Sequence, residues 1–270
     1  MSPLQRMGRW IADHLVLALG IIVLIYTFIP IAVVVLMSFS KPSKAYVFNG
    51  FTLDNWANPC ASEGMCPAVV RSVEIGLLAT ICATVLGTLI AFALVRHRFA
   101  GRTTANVLIF LPMAAPEIVM GSSLLALFVS AGFGGRLGFW TILIAHITFC
   151  ISFVVVTVKA RLAGLDGSLE QAAMDLYANE RETFWRVTFP LVFPGILAAA
   201  LLSFSLSFDD FIITNLNAGT TTTFPMFVWG SALRGVPMQV NVVGTVMFLI
   251  AIILVVAPEI SRRRKAKAGA

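Results

Sequence analysis

Six apolar runs, each near the length needed to cross a bilayer, constrain this chain more than any other feature. They fall at roughly 15–38, 72–95, 106–131, 141–158, 191–213 and 240–257. A helix needs about 20 mostly apolar residues to traverse the hydrocarbon core. Of the 270 residues, 59% are apolar and only 12% charged, and the mean hydropathy is +0.92. That charged share is about half of what a soluble domain carries, so lipid is the expected solvent. The expected fold is all-α, a single polytopic membrane domain over residues 1–270 with six transmembrane helices. The N-terminus is basic and then apolar, like a signal peptide. However, the run from Leu15 to Met37 exceeds an h-region of about 7–15 residues, and no small-residue cleavage site follows it. It reads as a retained first span.

Loop charges set the expected orientation. With the N-terminus inside, the inner segments hold Arg6 and Arg9; Arg96, Arg98 and Arg102; Lys159, Arg161, Arg181 and Arg186; and Arg262, Arg263, Arg264, Lys265 and Lys267. The outer segments hold Lys41, Lys44, Arg71, Arg136 and Arg234. Fourteen against five places both termini in the cytoplasm and requires an even number of spans. The net charge of +6 is therefore a topology signal, and no nucleic-acid partner is expected. The tail 258–270 reads as a basic cytoplasmic anchor touching anionic lipid. Two connections are too long to be turns: an outer one at 39–71, with Trp56, Cys60 and Cys66, and an inner one at 159–190. Cys60 and Cys66 lie where the compartment is oxidising and are expected to form a disulfide.

Enzymatic motifs are missing. No Gly-Lys pair occurs, so there is no Walker A loop, and there is no His-Glu-x-x-His pattern. His14, His97 and His146 lie in separate segments, and His146, inside a span, reads as a hydrogen-bonded packing residue. Cys82 and Cys150 read as small packing residues. Asp209-Asp210 suggests an intramembrane aspartyl protease, but the second aspartate in a Gly-x-Gly-Asp setting is absent. No catalytic residue, metal ligand or cofactor of its own is assigned to the chain.

The inner loop, from Ala163 to Ile196, reads AGLDGSLEQAAMDLYANERETFWRVTFPLVFPGI. Ser168 with Gln171 forms a capping-box pattern. Leu169, Ala172, Ala173 and Leu176 share one helical face. Asn179 is placed to end that helix and cap a second, with Glu182 at its third position. Phe184 and Val187 face together, and Pro190 is expected to stop the second helix. Two short amphipathic helices with a bend follow.

This loop resembles the EAA loop of permease subunits in binding-protein-dependent, type I ABC importers. That pattern is roughly Glu-Ala-Ala, three residues, Gly, then a hydrophobic stretch ending Leu-Pro. Here Gln171-Ala172-Ala173 stands for the triplet, Tyr177 for the glycine and Phe189-Pro190 for the end, with Gln171 and Tyr177 departing from the pattern. Leu111–Phe128, Ala145–Asp166 and Ser207–Leu216 resemble the second permease of spermidine/putrescine importers. The resemblance implies a permease of the bacterial inner membrane that pairs with a second permease, two cytoplasmic ATPases and an extracytoplasmic solute-binding protein. ATP and Mg would be bound by the ATPases. It also implies that Gln171, Ala172, Ala173, Asp175, Leu176, Tyr177 and Phe184 contact an ATPase. The alternatives are the same machinery for iron, thiamine or another organic ion, and an ATP-independent secondary transporter.

Glu117, near the middle of the third run, and Asp209 and Asp210, toward the outer end of the fifth, lie inside apolar runs that contain proline. Charges at such depth cost at least about 2.5 kcal/mol each and usually face a cavity or a partner. No basic residue shares their depth, so they read as unpaired acids along a pathway for a cationic solute. Phe204, Phe208 and Trp229 are expected to add cation–π faces. The other reading is internal hydrogen bonding that fixes helix packing. Arg71 and Glu74, three residues apart, are placed to pair with each other.

Overall fold

The computed structural model describes residues 3–42, 47–233 and 235–268, with side chains at 14–42, 47–233, 235–254 and 256. Arg6, Arg9, Lys44, Arg234 and the basic tail from Arg262 to Lys267 lie outside the described side chains. In chain order the helices are α1 Pro3–Ser38, α2 Asp54–Ala57, α3 Met65–Arg96, α4 Arg102–Ala114, α5 Glu117–Phe128 and α6 Phe139–Ala163. Then come α7 Ser168–Asp175, α8 Glu180–Thr183, α9 Phe189–Asp209, α10 Ile212–Asn217, α11 Phe224–Ala232 and α12 Met238–Ala268. Extended pairing among the described residues is limited to one bridge, Ser40 with Phe51. Among those residues, five stretches are long and apolar enough to cross a membrane: His14–Ser38, Met65–Arg96, Glu117–Arg136, Phe139–Ala163 and Glu180–Asp209. A sixth apolar stretch, Met238–Leu254, is shorter.

Two helical boundaries differ from the sequence reading. The third run is not one helix from 106 to 131, because it breaks at Ala115 and Pro116, between α4 and α5. A residue before proline is pushed from helical to extended backbone, and Ala115 has ψ 138°. Glu117 therefore opens α5 instead of sitting in mid-span. Pro190 does not stop a helix either. A π-helical turn at Phe184–Thr188 joins α8 to α9, with the Phe189 amide donating to the Phe184 carbonyl. Widening the turn changes which carbonyls are used, so a proline with no N–H fits directly after it.

Two compact units are present, Met1–Cys66 with Gly230–Ala270, and Pro67–Trp229. In the first, α1 packs along α12: Phe28 meets Phe248 edge-on at 6.4 Å, and Gly244 lets Val34 approach closely. The connection after α1 is ordered by its own side chains. The buried Asn55 donates to the carbonyls of Ser38 (3.1 Å) and Ser40 (2.8 Å). Phe39 is stacked between Phe51 and Trp56, with centroids at 5.5 and 5.4 Å. Cys60 and Cys66 are joined as a disulfide, their Cα atoms 5.4 Å apart. Reducing it should lower stability by only about 2 kcal/mol, because the loop it closes is short. Mass spectrometry without reductant should find neither cysteine alkylated; modification of both would refute the bond.

In the second unit α6 is the buried centre. Val154, Val155, Val158, Ala145 and Cys150 are essentially inaccessible, and α9, α4 and α10 pack around the same core. Small residues set the closest approaches. A Cβ on Gly87 of α3 would sit 2.6 Å from Val154 Cγ1, and one on Gly121 of α5 would sit 3.2 Å from the Ile213 Cα of α10. Without a strong hydrophobic drive between helices in lipid, such close contacts supply much of the association energy.

Candidate functional site

The connection from α6 to α9 builds its hairpin from local hydrogen bonds. The expected Ser168–Gln171 box does not form. Asp166 Oδ1 accepts from the Ser168 amide at 2.9 Å, so the chain turns two residues earlier and Gly167 takes the cap position. That bond holds the Asp166 carboxyl below its ordinary pKa. At the other end of α7, the Tyr177 amide donates to the Met174 carbonyl (2.9 Å) and the Ala178 amide to the Ala173 carbonyl (3.1 Å). This pair of bonds is a Schellman ending, which requires a left-handed residue between them. Tyr177 is that residue, with φ 65°. The position resembling the family's glycine is thus the one where the backbone favours glycine, and α7 ends there, two residues before Asn179. Asn179 caps α8 alone: its Oδ1 accepts from the Glu182 amide (2.9 Å), and Glu182 Oε2 accepts from the Asn179 amide (3.2 Å). A cap of this kind contributes about 1 kcal/mol.

The outward face of this hairpin has few partners of its own. Gln171, Ala172 and Asp175 are exposed, Ala173 is half-buried, Leu176 is 81% exposed and Tyr177 is 99% exposed. Phe184 turns inward, edge-on to Phe92 of α3 at 5.5 Å. Glu170 anchors the base. Both terminal nitrogens of the Arg96 guanidinium donate to its carboxylate, one at 2.6 Å, and Thr188 Oγ1 donates to Oε1 at 2.5 Å. The hydrogen bonds from Arg96, outweighing partial desolvation, hold the Glu170 carboxyl below its ordinary pKa. The tie therefore persists through the neutral range and is lost only as pH falls through that lowered value. Arg96, Glu170 and Thr188 are separated by 74 and 18 residues in sequence, and no local pattern links them.

The acids divide into two kinds. Asp210 is not the unpaired acid that the sequence suggested. It is buried between α9 and α10, where its Oδ2 accepts from the Thr214 amide and hydroxyl, both at 2.7 Å. His146 Nε2 lies 3.3 Å from the same oxygen and 2.9 Å from Thr214 Oγ1, and His146 Nδ1 lies 2.7 Å from Ser207 Oγ. Asp210 has extended backbone, ψ 129°, where α9 ends, and its carboxylate satisfies the first amides of α10. The packing reading of His146 holds. Its partners were not legible, because they lie 61 to 68 residues away.

Glu117 and Asp209 remain exposed, each at a helix terminus: Glu117 opens α5 and Asp209 ends α9. Phe208 stacks between Phe204 and Phe224 at 5.8 and 6.1 Å. Trp229 is exposed and leans on Phe211 at 5.1 Å. Arg71 pairs with Glu74 at 3.0 Å, as their spacing predicts, and its guanidinium lies 5.4 Å from the Phe139 ring centroid. An exposed pair of this kind contributes at most about 1 kcal/mol.

Residues 83–264 match the family of binding-protein-dependent transport system inner membrane components. The chain belongs to that family. It is 35% identical over 244 residues to the spermidine/putrescine transport system permease protein PotC of Haemophilus influenzae, covering 90% of this chain and 94% of that protein. It is 36% identical over 235 residues to the putrescine transport system permease protein PotI of Escherichia coli K12, covering 84% of each. Among solved structures, a bacterial ABC transporter involved in import of the acidic polysaccharide alginate superposes with a TM-score of 0.61 at 18% identity, over 97% of this chain and 98% of that one. The MetNI methionine ABC transporter, in inward-facing conformations, gives 0.54 at 15%, over 77% and 99%. At such identities the structures speak for the fold, which is that of an importer permease. The chain is a multi-pass permease of the bacterial inner membrane.

Proposed function

We propose that this permease forms one half of a polyamine pathway and is driven by ATPases that dock on the α7–α8 hairpin. One observation carries the reading: a hairpin capped at both helices presents Leu176 and Tyr177, almost wholly exposed, beside Gln171, Ala172, Ala173 and Asp175. Apolar groups held out on a rigid element mark a protein partner, and the spacing of the small residues resembles the family's coupling loop. Both units act as one permease domain, with both termini cytoplasmic, beside a second permease, two ATPases that bind ATP and Mg, and a solute-binding protein outside. The PotC and PotI likenesses support a polyamine solute. So do the two exposed acids, Glu117 and Asp209, with Phe208 and Trp229 as aromatic surface for ammonium groups. Asp210 has a structural role in this scheme.

Neutralising the exposed acids tests the solute. Glu117→Gln and Asp209→Asn keep size and remove charge. Each partly screened contact is expected to be worth about 1 kcal/mol, so uptake of labelled spermidine or putrescine should fall roughly fivefold per substitution. Permease level and complex assembly should hold. Unchanged uptake in both variants would remove the acids from the pathway, and uptake of iron or thiamine in place of polyamine would reassign the solute.

A further inference from the structure

Three elements meet on one side chain at the base of the hairpin. Glu170, in the first turn of α7, takes both terminal nitrogens of Arg96 and the hydroxyl of Thr188 on one carboxylate. Arg96 is the last residue of α3, a single helix of 32 residues that extends about 48 Å. Thr188 is buried and immediately precedes α9, whose far end, at Asp209, meets the Asp210 cluster. The π-helical turn at Phe184–Thr188 ends on the cluster's own Thr188, and such turns inside α-helices are frequently found at functional sites. The groove of about 990 Å³ that the cluster borders is lined mainly by apolar side chains, Phe92, Phe184, Phe189 and Met174 among them, with His97, Glu180 and Thr183 also on its wall. A bidentate guanidinium–carboxylate pair, in contrast, fixes both distance and angle.

We propose that the Arg96–Glu170–Thr188 cluster is the strut that transmits displacement of α7 to α3 and α9, making Glu170 and Arg96 positioning residues for coupling. This rests on the reading that α7 docks an ATPase. Without the strut, α7 still folds and still binds its partner, because its caps and its exposed face are independent of Glu170. Its motion is then absorbed by the groove and no longer moves the long helices. ATP is hydrolysed without transport.

The test uses the whole importer, this chain with its companion permease, ATPases and binding protein, reconstituted in proteoliposomes. ATP hydrolysis and uptake of labelled spermidine are read in the same sample. Arg96→Ala and Glu170→Ala should leave ATPase co-purification intact and lower spermidine taken up per ATP hydrolysed about tenfold. Glu170→Gln, which keeps a hydrogen-bond acceptor for Thr188 but loses the charge, should fall between. The exchange of Arg96→Glu with Glu170→Arg should restore at least half of the ratio, which a merely damaged fold would not do. An unchanged ratio in the single variants would overturn the strut. So would loss of assembly in the singles that the exchange fails to repair, since the cluster would then serve folding alone. Wild-type protein that binds no ATPase, or hydrolyses ATP without uptake, would instead remove the docking or solute reading, and the strut with it.

Discussion

Ala173→Arg is expected to abolish transport while leaving the permease in the membrane. Ala173 is half-buried on α7, its carbonyl accepts the Ala178 amide that closes the helix, and its neighbours Gln171 and Ala172 are exposed. A methyl group at that place lets a partner's surface come close. An arginine adds a long side chain and a charge that would have to be desolvated in the contact, and a buried charge without a partner costs several kcal/mol. Three kcal/mol is a loss of more than a hundredfold in affinity. ATPase co-purification and uptake should both disappear, with permease level unchanged because no span is touched. Wild-type co-purification and uptake in this variant would show that the partner docks elsewhere.

Asp210→Ala should act through stability. The carboxylate accepts from the Thr214 amide and hydroxyl and lies beside His146, with all three residues buried. Removing it leaves those groups facing an apolar interior, and breaking such a buried cluster costs about 3–5 kcal/mol. A sharp drop in the melting temperature of the detergent-purified permease, with loss of folded yield, is the expected result. Asp210→Asn keeps one acceptor oxygen and should cost less. Normal stability together with lost uptake in both variants would return Asp210 to the solute pathway.

Glu117 and Asp209, by contrast, lie at helix ends and are exposed, so their neutralisation should spare stability. The sequence ranks the three acids alike, since all sit in apolar runs that contain proline. Their separation comes from His146 of α6 and Thr214 of α10, which meet on Asp210, and from Ser207 of α9, which holds the other nitrogen of His146. A doublet such as Asp209-Asp210 shows no difference until the backbone turns between the two residues.

Much was fixed by one-dimensional physics. Runs of span length locate the membrane helices, because a helix in lipid must satisfy its own backbone and cover itself with apolar groups. The Asn179–Glu182 box and the Arg71–Glu74 pair were legible, because both depend on residues three apart. The Ser168 cap was misplaced because Asp166, two residues earlier, competes for the same amide. The break at Pro116 was signalled by proline, while the passage of Pro190 depended on a π-helical turn that no residue pattern announces. What the sequence alone determined is therefore the solvent, the apolar spans, the Asn179 cap and the family. Tertiary structure alone decided which acid is structural and how Arg96, Glu170 and Thr188 meet. Those outcomes rest on contacts between residues far apart in the chain, whose energies exist only after the helices have packed.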